Sequence, residues 1–71
     1  MCRFFFNLLA DDLEVLDLVG LELEDDAEVR RCAQEHICDL WAQRVLAGRE
    51  PLTGWLEVVD EDARSVLRLR L

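Results

Sequence analysis

The sequence predicts an α+β domain with the order β-β-α-β-β, in which a four-stranded, mainly antiparallel sheet carries one helix on one face. Three observations lead to this fold. The chain opens on an aromatic-rich run with strand alternation, its middle holds a long helical pattern with start and stop signals, and its end alternates leucine with arginine. The 71 residues are enough for a single domain, residues 1–71, with a small core.

Residues 2–9 form the first predicted strand. Alternation places Phe5 on one face of this strand, and the opposite face carries Phe4, Phe6 and Leu8. The apolar run superficially resembles a secretion signal, but Asn7 interrupts it and no small-residue cleavage site follows. We therefore expect a strand here and not a cleaved leader.

A second strand is predicted over residues 13–23, after a turn at residues 10–12 that closes the first hairpin. Gly20 lies within this strand, and a glycine inside a strand typically marks a bulge or a bend. The segment is therefore expected to pair with residues 2–9 with one local irregularity.

The helix is predicted to begin after Asp25 and to end at Gly48. Asp25 is a favourable N-cap, and Glu28 three residues later completes a capping box. Gly48 is a typical C-terminal stop, with Arg44 in the last turns. The stripe expected to face the sheet consists of Val29, Ala33, Ile37 and Leu40.

The second hairpin is predicted from strands at residues 55–59 and 65–71, joined by a turn at residues 60–63. In the last strand, Leu67, Leu69 and Leu71 alternate with Val66, Arg68 and Arg70, as expected for a half-buried strand. One helix covers only one sheet face. The residues expected on the uncovered face are Phe5, Val66, and Trp55 or Leu56.

A second apolar ridge on the helix is the sharpest candidate binding feature. Cys38, Trp41 and Val45 follow one another at helical spacing, about 120° or more from Val29 around the axis. Core packing at the helix margin is the alternative explanation, but tryptophan is enriched at binding hot spots. The predicted interface residues are therefore Cys38, Trp41 and Val45 on the helix, together with Phe5 and Trp55 on the sheet.

Composition favours a protein partner. Apolar residues make up 52% of the chain, more than a domain of this size readily buries, so part of this surface is expected to be covered by a second molecule. The net charge of −8 argues against nucleic acid and anionic membranes, which require a basic surface. No pattern identifies a small-molecule substrate.

The cysteine pattern predicts free thiols in a reducing cytoplasm. Cys2, Cys32 and Cys38 are odd in number and lack the spacing of a disulfide framework. Because Cys32 and Cys38 lie on different faces of the predicted helix, they are not expected to bridge each other.

The spaced pattern resembles a family of short bacterial proteins of about 70 residues, of unknown function. The motifs that carry the resemblance span nearly the whole chain: residues 3–6, residues 17–23, Asp25, Ala33, residues 58–61 and the final alternating leucines. The resemblance implies a β-β-α-β-β fold and no established activity. The chain departs from the pattern at Asp11 and Ala63, where the family tends to glycine, and at Leu18 and Val19, where it tends to charge.

The sequence gives only weak support for a catalytic or metal-binding site. Cys32 and His36 share a helix face, but a zinc site needs about four ligands and the chain has one histidine, so a buried thiol beside an edge histidine is the simpler interpretation. The acidic runs of the two hairpins lack an EF-hand loop, and turn chemistry explains them equally well. We expect no metal, no cofactor and no enzymatic activity.

Two classes of function follow. The first is a non-enzymatic protein–protein interaction module, expected to self-associate as a homodimer. The alternative is an acidic regulatory or antitoxin-like protein that masks a basic partner, supported by the charge of −8. Weak cation binding by the hairpin acids is a third hypothesis.

Overall fold

A computed structural model describes residues 1–11 and 13–71, which form one helix and five strands. The elements are β1 (Cys2–Ala10), β2 (Leu13–Val15), β3 (Leu21–Leu23), α1 (Asp26–Leu46), β4 (Gly54–Val59) and β5 (Ser65–Arg70). The predicted α+β class is confirmed, with five strands where four were expected. Asp12, in the predicted first turn, lies outside the described residues.

The sheet is antiparallel at every pairing and has the order β2-β1-β4-β5. β1 is central, because β4 pairs along one side of it while β2 and β3 share the other side. Phe6 lies opposite Val58 and Leu8 opposite Leu56, so these side chains share one face.

The prediction of one continuous strand over residues 13–23 was wrong. Leu21 pairs with Phe4 and Val15 pairs with Leu8, so residues 5–7 of β1 face residues 16–20 of the returning chain. Three residues cannot pair with five, and the surplus leaves the ladder as a loop between β2 and β3. Gly20, with φ +76°, ends this loop, so the glycine does mark a bend.

The core lies between one sheet face and the first half of α1. Its buried residues are Phe4, Phe6, Leu23, Val29, Ala33, Leu56 and Val58. The burial of Leu56 removes it from the candidates for the uncovered face, because neighbouring residues in a strand point to opposite sides. Trp55 is therefore the residue of this pair that lies on the open face.

Both ends of α1 follow the predicted capping chemistry. The Asp25 side chain accepts a 2.8 Å hydrogen bond from the Glu28 N–H. The Glu28 carboxylate accepts from the Glu24 N–H at 2.8 Å, one residue earlier than a standard capping box. At the other end, Gly48 has φ +66° and donates to the Val45 carbonyl at 3.1 Å, while Arg49 donates to the Arg44 carbonyl at 2.9 Å, which makes a Schellman motif.

The β4–β5 turn uses an acidic side chain for its own geometry. Asp60 Oδ1 accepts hydrogen bonds from the Asp62 and Arg64 N–H groups, each at 2.9 Å. Ala63 takes the left-handed conformation in this turn, with φ 62°. The departure from glycine at this position therefore leaves a residue with a side chain in a conformation that glycine adopts without strain.

The cysteines and the helix can be compared with the sequence expectations of free thiols and of no membrane-spanning segment. Cys2, Cys32 and Cys38 are all free thiols, with Cys2 and Cys38 exposed. Within residues 1–11 and 13–71, no helix combines the length and the apolar content that crossing a membrane requires.

Candidate functional site

An apolar groove of about 530 Å³ opens between the C-terminal half of α1 and the sheet. Its floor is formed by Phe6, Leu8, Leu56 and Leu71. Its helix wall is formed by His36, Ile37 and Leu40, and its outer lip by Val15, Leu16, Asp17 and Leu18. We call it the helix–sheet groove; its volume lies within the range of ordinary binding pockets.

The groove exists because α1 contacts the sheet closely at one end only. Val29 and Ala33 are 2% and 0% exposed, whereas none of residues 34–46, all of which the structure describes, is buried. Close contact at one end only leaves a gap between the other end of α1 and the sheet. Ile37 and Leu40 point into this gap and are only half-buried.

The lip of the groove is an apolar loop that projects into solvent. Leu16 and Leu18 of the lip are 54% and 88% exposed, and Val19, which directly follows the lip, is 76% exposed. Apolar side chains grouped at this exposure mark interaction sites more often than scattered single residues do. The sequence indicated this surface through the apolar Leu18 and Val19 at positions where charge is typical.

Asp17 holds the lip loop in place through backbone hydrogen bonds. Its Oδ1 accepts from the Val19 and Gly20 N–H groups at 3.0 Å each, and its Oδ2 accepts from the Phe6 N–H at 3.2 Å. The Asp17 N–H in turn donates to the side-chain oxygen of Asn7 at 2.9 Å. These bonds replace the ladder where the loop departs from β1.

The same contacts keep the Asp17 carboxylate ionised. Burial acts to raise its pKa, but hydrogen bonds from the N–H groups of Gly20, Phe6 and Val19, together with attraction to His36, outweigh burial. The pKa of Asp17 is consequently lowered from its ordinary value of 3.8. At neutral pH, the Asp17 side chain in the groove lining is therefore charged and already engaged with backbone donors.

His36 lies against the groove floor, one helical turn after Cys32. Its ring stacks on Phe6 with centroids 5.2 Å apart and an interplanar angle of 14°. Its Nδ1 lies 3.4 Å from the carbonyl oxygen of Cys32. Among the described residues, no three or more His, Cys, Asp or Glu side chains converge on a point where they could hold a metal ion. The lining is suited to apolar contact.

The predicted helix ridge lies beside the groove and outside its lining. Cys38 and Val45 are exposed, with Val45 at 71%, and Trp41 is half-buried. The groove is lined instead by Ile37 and Leu40, from the stripe that the sequence assigned to the core. Because Trp41 directly follows Leu40, the ridge begins at the groove margin and continues onto the outer flank of α1.

The open sheet face carries the other two predicted interface residues. Phe5 and Trp55 are both half-buried there, on strands β1 and β4. The guanidinium carbons of Arg68 and Arg70 lie 4.5 Å and 5.4 Å from the Trp55 ring centroid. The open face is thus partly covered by arginine and is more polar than the groove.

Comparison with known proteins yields a family and no described function. The family model described as "Domain of unknown function (DUF6894)" matches residues 3–71. No curated protein and no solved structure matches the chain. The family confirms the resemblance drawn from the sequence motifs.

Proposed function

The chain belongs to the DUF6894 family of domains of unknown function, and we propose that it is a non-enzymatic protein–protein interaction module that forms a homodimer through the helix–sheet groove. The observation that carries the proposal is the groove itself. Its lining includes Leu8, Ile37, Leu40 and Leu71, side chains that a chain of this size would bury if its own elements could reach them.

The surface area of the chain supports a missing partner. A monomer of 8.3 kDa is expected to expose about 4,600 Å². This chain exposes 5138 Å², which is roughly 500 Å² more than that expectation. A standard interface covers about 800 Å² on each partner, so one dimer contact is large enough to cover the whole surplus.

Exposed apolar residues supply both halves of a two-fold contact. The lip, with Leu16 and Leu18, projects beside the groove, and a two-fold axis would place each lip against the groove of the other copy. The ridge of Cys38, Trp41 and Val45 extends this apolar surface along α1, with Val45 at 71% exposure. A second copy therefore offers the apolar projections that the groove requires.

The charge distribution permits this contact despite the net charge of −8. Asp17 is the only acid that the described residues contribute to the groove lining, and three backbone N–H groups already neutralise it in part. The acidic runs at Glu24 to Asp26 and Asp60 to Asp62 contribute no residue to the described lining, and Asp11 and Glu14 of the first hairpin precede the lip in sequence without lining the groove. Apolar contact is thus accompanied by weak long-range repulsion, which salt would screen.

The decisive experiment measures mass in solution over a range of concentrations. Sedimentation should show the 8.3 kDa monomer at low concentration and its dimer at high concentration. A single 8.3 kDa species up to high micromolar concentration would overturn self-association. Dimerisation should strengthen as salt rises, because salt screens the repulsion and leaves apolar burial intact.

A matched pair of variants locates the contact. Leu18→Glu places a charge on a residue that lines the groove, while Val19→Glu places the same charge on the next residue, which does not line it. Both residues are more than three-quarters exposed, so the monomer should fold in each case. Leu18→Glu should weaken the dimer at least tenfold more than Val19→Glu, and equal effects would move the contact away from the groove.

The alternative role, an acidic protein that masks a basic partner, makes the opposite prediction for salt. Such a complex should weaken steeply as ionic strength rises. Within our proposal the module acts in a reducing, cytoplasmic compartment, which the three free thiols support. Oxidation of exposed Cys2 or Cys38 would otherwise produce mixed disulfides between copies.

A further inference from the structure

A second binding surface lies along the free edge of β5, apart from the helix–sheet groove. We propose that this edge accepts an extended segment of a partner protein as an additional antiparallel strand, and that the side chains of this segment alternate between acidic and apolar. The mode of binding is strand addition, in which backbone hydrogen bonds provide the contact and alternate side chains provide selectivity.

The backbone of β5 is available on one side. β5 is the last strand in the order β2-β1-β4-β5 and pairs only with β4 among the described strands. The Leu71 N–H donates to the Gly54 carbonyl at 3.0 Å, and inward and outward groups alternate along an antiparallel pair. By this alternation, the N–H and C=O groups of Arg68 and Arg70 point away from β4.

The two arginines whose backbones point outward also carry the positive charge of this edge. Within the described part of the chain, the ion pairs involve Arg3 and Arg31. Glu57 is the register partner of Arg68 on β4, but no carboxylate of the described residues lies within salt-bridge distance of Arg68 or Arg70. The Trp55 ring lies beneath both guanidinium groups and limits the conformations they sample. Their planar donors can therefore each receive a carboxylate in two-point contact.

The spacing of these arginines fits an extended acidic segment. Arg68 and Arg70 are two residues apart on one strand face, which separates them by about 7 Å. An added strand has the same repeat, so acids at alternate positions would lie directly opposite the two arginines. Opposite charges facing each other across a strand pair stabilise that pair.

The other face of β5 explains why the remaining positions should be apolar. Leu67 and Leu69 point toward the helix side and are only half-buried at this edge. The apolar residues of an added strand would lie beside them and extend the core by one row. The resulting preference is a segment of alternating acid and leucine-like residues, complementary to residues 67–71.

The charges of the chain argue against two other occupants of the β5 edge, a second copy of β5 and nucleic acid. A second β5 would place Arg68 or Arg70 close to the arginines of the first, and like charges directly opposite destabilise a strand pair. Nucleic acid would be repelled by the net charge of −8. Arginines on an edge can also serve only to prevent strand addition, and that explanation predicts no binding of an acidic segment.

The test titrates the full chain into a fluorescently labelled eight-residue peptide of alternating leucine and glutamate. Saturable binding with Kd below about 1 mM is expected. Arg68→Glu/Arg70→Glu should lose at least tenfold in affinity and gain binding of the peptide with lysine in place of glutamate. Arg31→Glu/Arg49→Glu, with the same change in net charge at exposed positions elsewhere, should bind as the native chain does.

Peptide variants separate strand addition from simple charge attraction. N-methylation of the residues whose N–H groups face β5 should abolish binding, while N-methylation of the intervening residues should leave it intact. A peptide of the same composition in paired order, Leu-Leu-Glu-Glu, should bind at least tenfold more weakly. If the two N-methylated peptides and the paired-order peptide all bound as tightly as the parent peptide, the proposal would be overturned.

The remaining outcomes concern a variant that fails to fold and results that would overturn the proposal. If Arg68→Glu/Arg70→Glu fails to fold by circular dichroism, Arg68→Gln/Arg70→Gln replaces it, with the same tenfold loss expected. No saturable binding by the native chain, or tighter binding of a single-stranded oligonucleotide, would overturn the assignment. The Leu18→Glu variant should bind the peptide normally, because the edge of β5 does not depend on the groove. Loss of self-association in Arg68→Glu/Arg70→Glu would identify a second copy as the occupant and overturn the separate partner.

Discussion

The two halves of α1 have the same apolar spacing but lie in different surroundings. Val29 and Ala33, in the first half, are buried against the sheet. Ile37 and Leu40 continue the same stripe in the second half and remain half-buried at the open groove. Helical periodicity therefore determines which side of α1 turns to the sheet, and the position of α1 relative to the sheet determines how far along α1 that contact extends.

This difference in burial predicts different roles for the two halves of α1 in folding and in association. The first half supplies the buried contacts that stabilise a small domain, whose core contributes only about 3–5 kcal/mol. The second half contains no buried residue, and Leu40 and Trp41 are only half-buried there. Substitutions in the first half should therefore act on folding, and substitutions in the second half on association.

The largest effect is expected at Ala33. The change Ala33→Glu would place an unpaired carboxylate at a position that is 0% exposed, at a cost of several kcal/mol. This exceeds the stability available to the domain, so the helix signal in circular dichroism should be lost at 25 °C. Ala42→Glu, on the exposed side of the same helix, should change stability by less than about 0.5 kcal/mol. A cooperatively folded Ala33→Glu variant would contradict close packing of the first half.

The next effect is expected at Trp41, in the second half. The change Trp41→Glu should weaken dimerisation by about 2 kcal/mol, roughly 30-fold, while the helix signal persists. Sedimentation and circular dichroism on the same sample measure both quantities, with Ala42→Glu as the control for added charge. Loss of helix would show that Trp41 is part of the core, and an unchanged dimer would remove it from the interface.

A smaller effect should come from Asp17, which holds the lip against the second half. Asp17→Ala removes the acceptors of three backbone N–H groups, one of them at Phe6, and should lower the free energy of unfolding by about 1–2 kcal/mol at pH 7. Urea midpoints measure this loss. Asp39→Asn, at an exposed helix position, should leave the midpoint nearly unchanged.

The pH dependence of the same residue has a definite sign. The pKa of Asp17 is lowered in the folded state, so the unfolded state binds the proton more readily. The stabilisation is present above the ordinary value of 3.8 and is lost as pH falls through the folded pKa. Between about pH 5 and pH 2 the native chain should lose more stability than Asp17→Asn. Parallel losses in both proteins would contradict a lowered pKa.

The elements with strong local signals were predictable from sequence. Asp25 and Gly48 define the helix through side-chain capping and a left-handed stop, which depend on the neighbouring backbone alone. Alternation likewise assigned Phe4 and Phe6 to the buried face and Arg68 and Arg70 to the other. The family was also recognisable, because its motifs extend over nearly the whole chain.

The break between β2 and β3 and the groove were not predictable, because both depend on how distant elements meet. The loop at residues 16–20 arises from a register mismatch with β1, which no local pattern reveals. Leu40 was assigned to the core by its spacing, although the divergence of α1 from the sheet leaves it at the groove. The Asp17 bonds to Phe6 similarly require knowledge of the pairing.

The smallest predicted effect on stability lies at the β4–β5 turn. Ala63 has φ 62°, a conformation that costs a residue with a side chain about 1–2 kcal/mol and costs glycine little. Part of the gain from Ala63→Gly is offset by the greater freedom of glycine in the unfolded chain, so a net stabilisation of about 0.5–1 kcal/mol is expected. Urea unfolding checks the value, and Ala42→Gly in the exposed helix is the matched control, with an expected loss of about 0.5–1 kcal/mol. Opposite signs for the two alanine-to-glycine changes would place the strain in the turn. A loss of stability in both would show that Ala63 does not occupy the left-handed region in solution.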